Sequence, residues 1–128
     1  RDPFVLGADY RALLADAGAV HGLCAHPRMP SVDAQGVDPE RDPIGAGPLV
    51  IRWLLRRDRA YDEARATYAP FDRLVEPDPD ARGRIAALLR AAASRGRGSL
   101  VIVNNKAEGS APLSIEALAR QSADDPVA

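Results

Sequence analysis

The chain has 128 residues, 46 % hydrophobic and 27 % charged, enough for one domain with a sizeable core. Seventeen basic and eighteen acidic residues leave a formal charge of −1, which excludes the basic footprint of non-specific binding to nucleic acid or anionic membrane. One cysteine rules out an internal disulfide and fits a reducing, cytoplasmic setting, and no apolar run approaches the ~18 residues of a membrane span.

The chain begins Arg1-Asp2-Pro3-Phe4 and its only methionine is Met29, so it reads as a processed chain or a fragment. Between Gly7 and Ala17, Tyr10, Leu13, Leu14 and Ala17 fall at i, i+3, i+4 and i+7, which predicts a helix with one apolar face. Asp9 suits its first turn and Gly18 its C-terminal cap. Val20 to Ala25 reads as a short strand closed by Pro27 and Pro30. The stretch 27–47, rich in proline and glycine, reads as a long connection with one helical turn near 32–35.

Pro48 to Leu55 is a strong strand, carrying Leu49-Val50-Ile51-Arg52-Trp53-Leu54-Leu55. Arg56 to Pro79, punctuated by Pro70, Pro77 and Pro79, reads mostly as loop with a helical turn near 62–67. A second clear helix runs from Asp80 to Ser94 on Ile85, Leu88, Leu89 and Ala92, and Gly96 and Gly98 end it. Leu100-Val101-Ile102-Val103 is an uninterrupted apolar run, the signature of a parallel strand covered on both faces. It stops abruptly at Asn104-Asn105-Lys106-Ala107-Glu108-Gly109-Ser110. A last helix spans 112–121 with Ile115, Leu118 and Ala119 on one face, followed by a frayed tail over 122–128. Strands separated by helical crossovers predict an α/β fold with a parallel sheet. Three such strands complete no common α/β sheet, so part of the sheet is expected elsewhere.

Arg1-Asp2-Pro3, the Leu13-Leu14 helix end, Arg28-Met29-Pro30, the block Pro48 to Trp53, Tyr68-Ala69-Pro70-Phe71 and Val103 to Pro112 together resemble the second half of the YecE-like family, domain of unknown function 72. The most specific part is the strand ending in Asn-Asn with Gly-x-Ala-Pro downstream. The resemblance runs from Arg1 to about Arg120. It implies the later strands of a TIM-like (β/α)8 barrel, with the domain over 1–121. It implies a fold more than an activity. The chain has Leu54-Leu55-Arg56 where many members carry a His-Gly pair, so no role of that histidine transfers.

In such a barrel the site lies at the strand carboxyl ends, and the loops after strands seven and eight often hold phosphate. Arg52 shares a strand face with Val50 and Leu54. A buried arginine there must pair with an acid or reach a ligand. Alternation sends Asn104 and Asn105 to opposite sides, so one faces the mouth, while the other reading caps the turn. Arg1, Arg52, Asn104, Asn105 and Lys106 are therefore the ligand-binding candidates, and Glu108 is the candidate proton-transfer group.

His21, Cys24 and His26 cannot converge on a metal from one strand, and Cys24 reads as a buried apolar residue. Tyr61, Tyr68 and Phe71 pin a loop. The arginines at 56, 57, 59, 82, 84, 90, 95 and 97, interleaved with acids, read as solvated surface. No nucleophile elbow, Walker loop or dinucleotide fingerprint is present. The expectation is an enzyme binding a phosphorylated or otherwise anionic small molecule, with no cofactor named. A nucleic-acid-binding or processing protein is disfavoured by the charge, and a fragment without independent function stays open. The expected partner is a missing N-terminal half or a second copy.

Overall fold

The computed structural model describes residues 2–35 and 47–124. Arg1, the centre of the predicted connection (36–46) and the tail end (125–128) lie outside the described residues.

The elements in chain order are α1 (Ala8–Ala17), β1 (Gly22–Ala25), β2 (Leu49–Trp53), α2 (Tyr61–Tyr68), α3 (Pro79–Ser94), β3 (Ser99–Val103) and α4 (Ala111–Asp124). Two 3-10 turns, Pro3–Val5 and Val32–Gln35, accompany them. The strands form one open parallel sheet in the order β1-β2-β3. The chain is thus α/β, as its alternation of strand and helix predicts.

Register explains which side chains are buried. Leu23, Ala25, Leu49, Ile51, Trp53, Val101 and Val103 share one face, because Leu23 pairs with Ile51 and Ile51 with Val101. That face carries the core: α3 lies against β2 and β3 through Ile85, Ala86, Leu88 and Ala92, and α4 packs beside it through Leu118. The second face holds Val50, Arg52, Leu100 and Ile102, and here Leu100 is 55 % and Ile102 47 % exposed. A parallel sheet normally has layers on both faces. Among the described residues a helical layer covers one face only; on the other, Cys24 of β1 is buried while β2 and β3 expose Arg52, Leu100 and Ile102, and the prediction that β3 is covered on both sides is corrected.

Local chemistry sets the ends. Asp78 caps α3 by accepting from the Ala81 amide at 3.0 Å, and Pro79 opens the helix where no amide is needed. Gly18 closes α1 at φ 62°, with the Ala19 amide on the Leu14 carbonyl at 2.9 Å.

Three expectations are corrected. The segment after β2 contains an eight-residue helix, α2, whose Ala64 and Tyr68 pack with Leu55 in a second cluster. α4 runs three residues past 121, to Asp124, with Ile115 on its exposed side. α1 buries none of its residues, and Leu13 is 65 % exposed.

α1 is instead attached through Tyr10, whose hydroxyl lies 3.0 Å from His21 Nδ1 with the two rings edge to face. A cavity of about 60 Å³ at this junction is lined by Tyr10, Arg11, Leu14, His21 and Gln35. Burial chiefly pushes the His21 pKa below its ordinary 6.5, with Gln35 acting in the opposite direction. A ring released from this junction takes up a proton first as pH falls below 6.5, so docking of α1 is complete above that pH and weakens below it. Amide exchange in α1 should therefore accelerate between pH 7 and pH 5 relative to β2. A pH-independent ratio would contradict the Tyr10–His21 attachment.

Candidate functional site

The carboxyl ends of β2 and β3 meet at the loop after β3. The Asn104 amide donates to the Trp53 carbonyl at 2.9 Å, carrying the ladder one position beyond the strand. Asn104 Oδ1 accepts from the Lys106 amide at 3.0 Å, closing a tight turn. Asn105 Oδ1 accepts from the Ala111 amide at 2.7 Å, at the start of α4. The two asparagines therefore go to different places, and each caps backbone through its side-chain oxygen.

The same loop is tied to the segment after β2. The Arg56 amide donates to the Lys106 carbonyl at 3.2 Å, and the Val75 and Glu76 amides both donate to the Glu108 carbonyl. Gly109 makes this close approach possible. At φ 126° a Cβ on it would lie 2.5 Å from the Arg73 carbonyl oxygen and 2.7 Å from the Val75 nitrogen.

Glu108 is fully buried. Its Oε1 accepts from the Asp78 amide at 2.7 Å and is ion-paired with Arg82 Nη2. A buried carboxylate needs such partners, since desolvation is otherwise prohibitive. This geometry makes Glu108 a structural carboxylate joining the β3 tip to the start of α3, and no proton-transfer step is assigned to it.

A second ionic cluster lies under α2. The Arg59 guanidinium forks onto both oxygens of Glu76, and the Tyr68 hydroxyl donates to Glu76 Oε2. Arg56 pairs with Asp58 at 2.7 Å and donates to the carbonyls of Glu76 and Pro77. The Arg59 bond, followed by that from Tyr68, holds the Glu76 carboxyl down at about 2, and Tyr68 is pushed upward, first by burial. Arg56, Arg59 and Arg82 thus fasten loops and are not merely solvated. The Arg59–Glu63 pair was readable from its i, i+4 spacing, whereas Arg82–Glu108 spans 26 residues with no local signal.

Arg52 differs from all of these. It is exposed, on the uncovered sheet face, opposite Cys24 of β1 and Ile102 of β3. Among the described residues it has no ion pair or side-chain hydrogen bond. The premise that Arg52 is buried is corrected, because the helical layer covers the other face. Lys106 Nζ stands 4.5 Å from the centroid of the Tyr61 ring, and Tyr61 is 56 % exposed. Tyr68 and Phe71 pin their loop as predicted, whereas Tyr61 is exposed and meets Lys106. Arg1 lies outside the described residues. No group of three or more His, Cys, Asp or Glu that could hold a metal is found among the described residues, and no helix there is long and apolar enough to cross a membrane.

The chain matches no family model, no curated protein and no solved structure.

Two outcomes follow from the ionic clusters. Arg82→Ala strands a buried carboxylate and should cost about 3–5 kcal/mol in chemical denaturation; a loss below about 1 kcal/mol would deny the pair that role. The depressed Glu76 pKa contributes stability that is present above 4.5 and lost as pH falls toward 2. Glu76→Gln should therefore flatten the acid limb of the stability profile, and an unchanged limb would place the acid sensitivity elsewhere.

Proposed function

We propose that this chain is the later part of a YecE-like (β/α)8 barrel and that it binds a phosphorylated or otherwise anionic small molecule at its strand carboxyl ends, as an enzyme acting on that ligand. Arg52 and Lys106 contact the anion, and Asn104 orients it. The observation that carries the reading is Arg52: a guanidinium with no ion pair among the described residues, at the carboxyl half of a parallel strand. Such a fork is free to take a phosphate or carboxylate bidentately.

The sheet supports the barrel part of the reading. Three parallel strands in sequence order, with helices on one face, form the kind of arc that a barrel wall repeats. In that wall the Arg52 face is the interior, and Asn104 and Lys106 stand at its rim. Asn105, engaged at the start of α4, supports the loop and does not contact the ligand.

Inorganic phosphate and a simple sugar phosphate are suitable probes, followed by chemical-shift perturbation of the Arg52, Asn104 and Lys106 amides. Arg52→Ala should weaken phosphate binding by at least about tenfold, since a charge-assisted hydrogen bond contributes about 1.5–3 kcal/mol. Arg52→Lys should restore part of it, through charge without the fork. Equal affinity in Arg52→Ala and the unaltered chain would overturn the assignment.

A further inference from the structure

Among the described residues, two surfaces lack a layer and complement each other. The first is the β2–β3 part of the sheet face that carries Arg52, where Val50, Leu100 and Ile102 adjoin it and the buried Cys24 of β1 lies on its other side. The second is the outward stripe of α1, where Asp9, Leu13 and Asp16 recur at i, i+4 and i+7 and are all exposed. Neither aspartate has an ion pair or side-chain hydrogen bond among the described residues, and neither does Arg52. One surface is apolar with a central cation. The other is an apolar side chain between two carboxylates.

We infer that the α1 stripe of one copy docks on the uncovered sheet face of another, with Leu13 on the apolar side chains and Asp9 or Asp16 paired with Arg52. The spacing fits. On the sheet, the Val50/Leu100 level and the Arg52/Ile102 level are two residues apart, about 6.6 Å. On the helix, Leu13 lies about 4.5 Å in axial rise from Asp16 and about 6 Å from Asp9. With Leu13 seated at the first level, a carboxylate reaches the second whichever way the helix runs along the strands. Covering Arg52 without a counter-charge would bury an unpaired cation, so the occupant must carry an acid at that place.

The contact is between copies because α1 already faces its own chain with Tyr10 and Leu14, which line the cavity beside His21. The Asp9-Leu13-Asp16 stripe points elsewhere. Joining two different surfaces makes the contact heterologous, so each copy keeps one of each surface free and assembly does not stop at a closed dimer.

Sedimentation velocity of the purified chain, over a wide concentration range at low and high salt, tests this. The average mass should rise with concentration beyond that of a dimer and fall as salt screens the pair. Arg52→Glu should bring the chain back to a monomer by opposing Asp9 and Asp16. Replacing both aspartates with lysine should do the same, and so should Leu13→Gln, which removes the apolar contact and leaves the charges. Combining Arg52→Glu with the two lysines should restore association. A monomer at every concentration, association unaltered by Arg52→Glu, or no recovery in the charge-swapped chain would each overturn the proposal. Arg52 is also the anion-contacting residue proposed above, and its face is the barrel interior of that reading, so the contact between copies and the closed barrel exclude each other. Loss of phosphate binding and loss of association are read by separate measurements, so the two readings fail separately.

Discussion

The carboxylate of Glu108 is the point on which the carboxyl end of this sheet depends. It leaves water completely, which is tolerable only because the Arg82 guanidinium and the Asp78 amide meet it. Through that one group the loop after β3 is joined to the start of α3, while the carbonyl of the same residue holds the Val75 and Glu76 amides. Gly109 lets the two backbones come this close. The positions of Asn104 and Lys106 follow from this junction, since both lie in the loop it anchors.

A second constraint acts across the sheet. Helices α3 and α4 satisfy one face, and the alternation of β2 and β3 sends Arg52, Leu100 and Ile102 to the other. An apolar parallel face left in water is unfavourable, and it is made specific here by a cation that must be paired when covered. The proposed anion site and the proposed contact between copies both arise from this one feature. Both use the free fork of Arg52, and the second adds the apolar side chains around it.

Much of this was legible in the sequence. The strands around Ile51 and Val101 declare themselves as apolar runs and the helix through Ile85 and Leu88 by its period, although the sequence reading starts it at Asp80 and not at the Asp78 cap and Pro79. The turn-capping reading of the asparagines is met by both of them, Asn104 on the Lys106 amide and Asn105 on the Ala111 amide. The eight residues of α2 were harder to read: they are polar, and only Ala64 and Tyr68 face inward. Alternation shows which residues share a face but not whether anything covers it, which is why Arg52 read as buried. The Glu108–Arg82 pair is a product of tertiary structure, and no spacing within either segment announces it.

The most direct test of the Glu108 junction is residue-resolved hydrogen exchange in Glu108→Gln, which keeps the shape of the side chain and removes its charge. The account predicts that the amides of Val75, Glu76, Asp78, Lys106 and Gly109 lose protection together, while those of Ile51 and Ile85 exchange as before. Unchanged protection at Val75 and Asp78 would contradict it, and the loop would then be held by its backbone bonds alone.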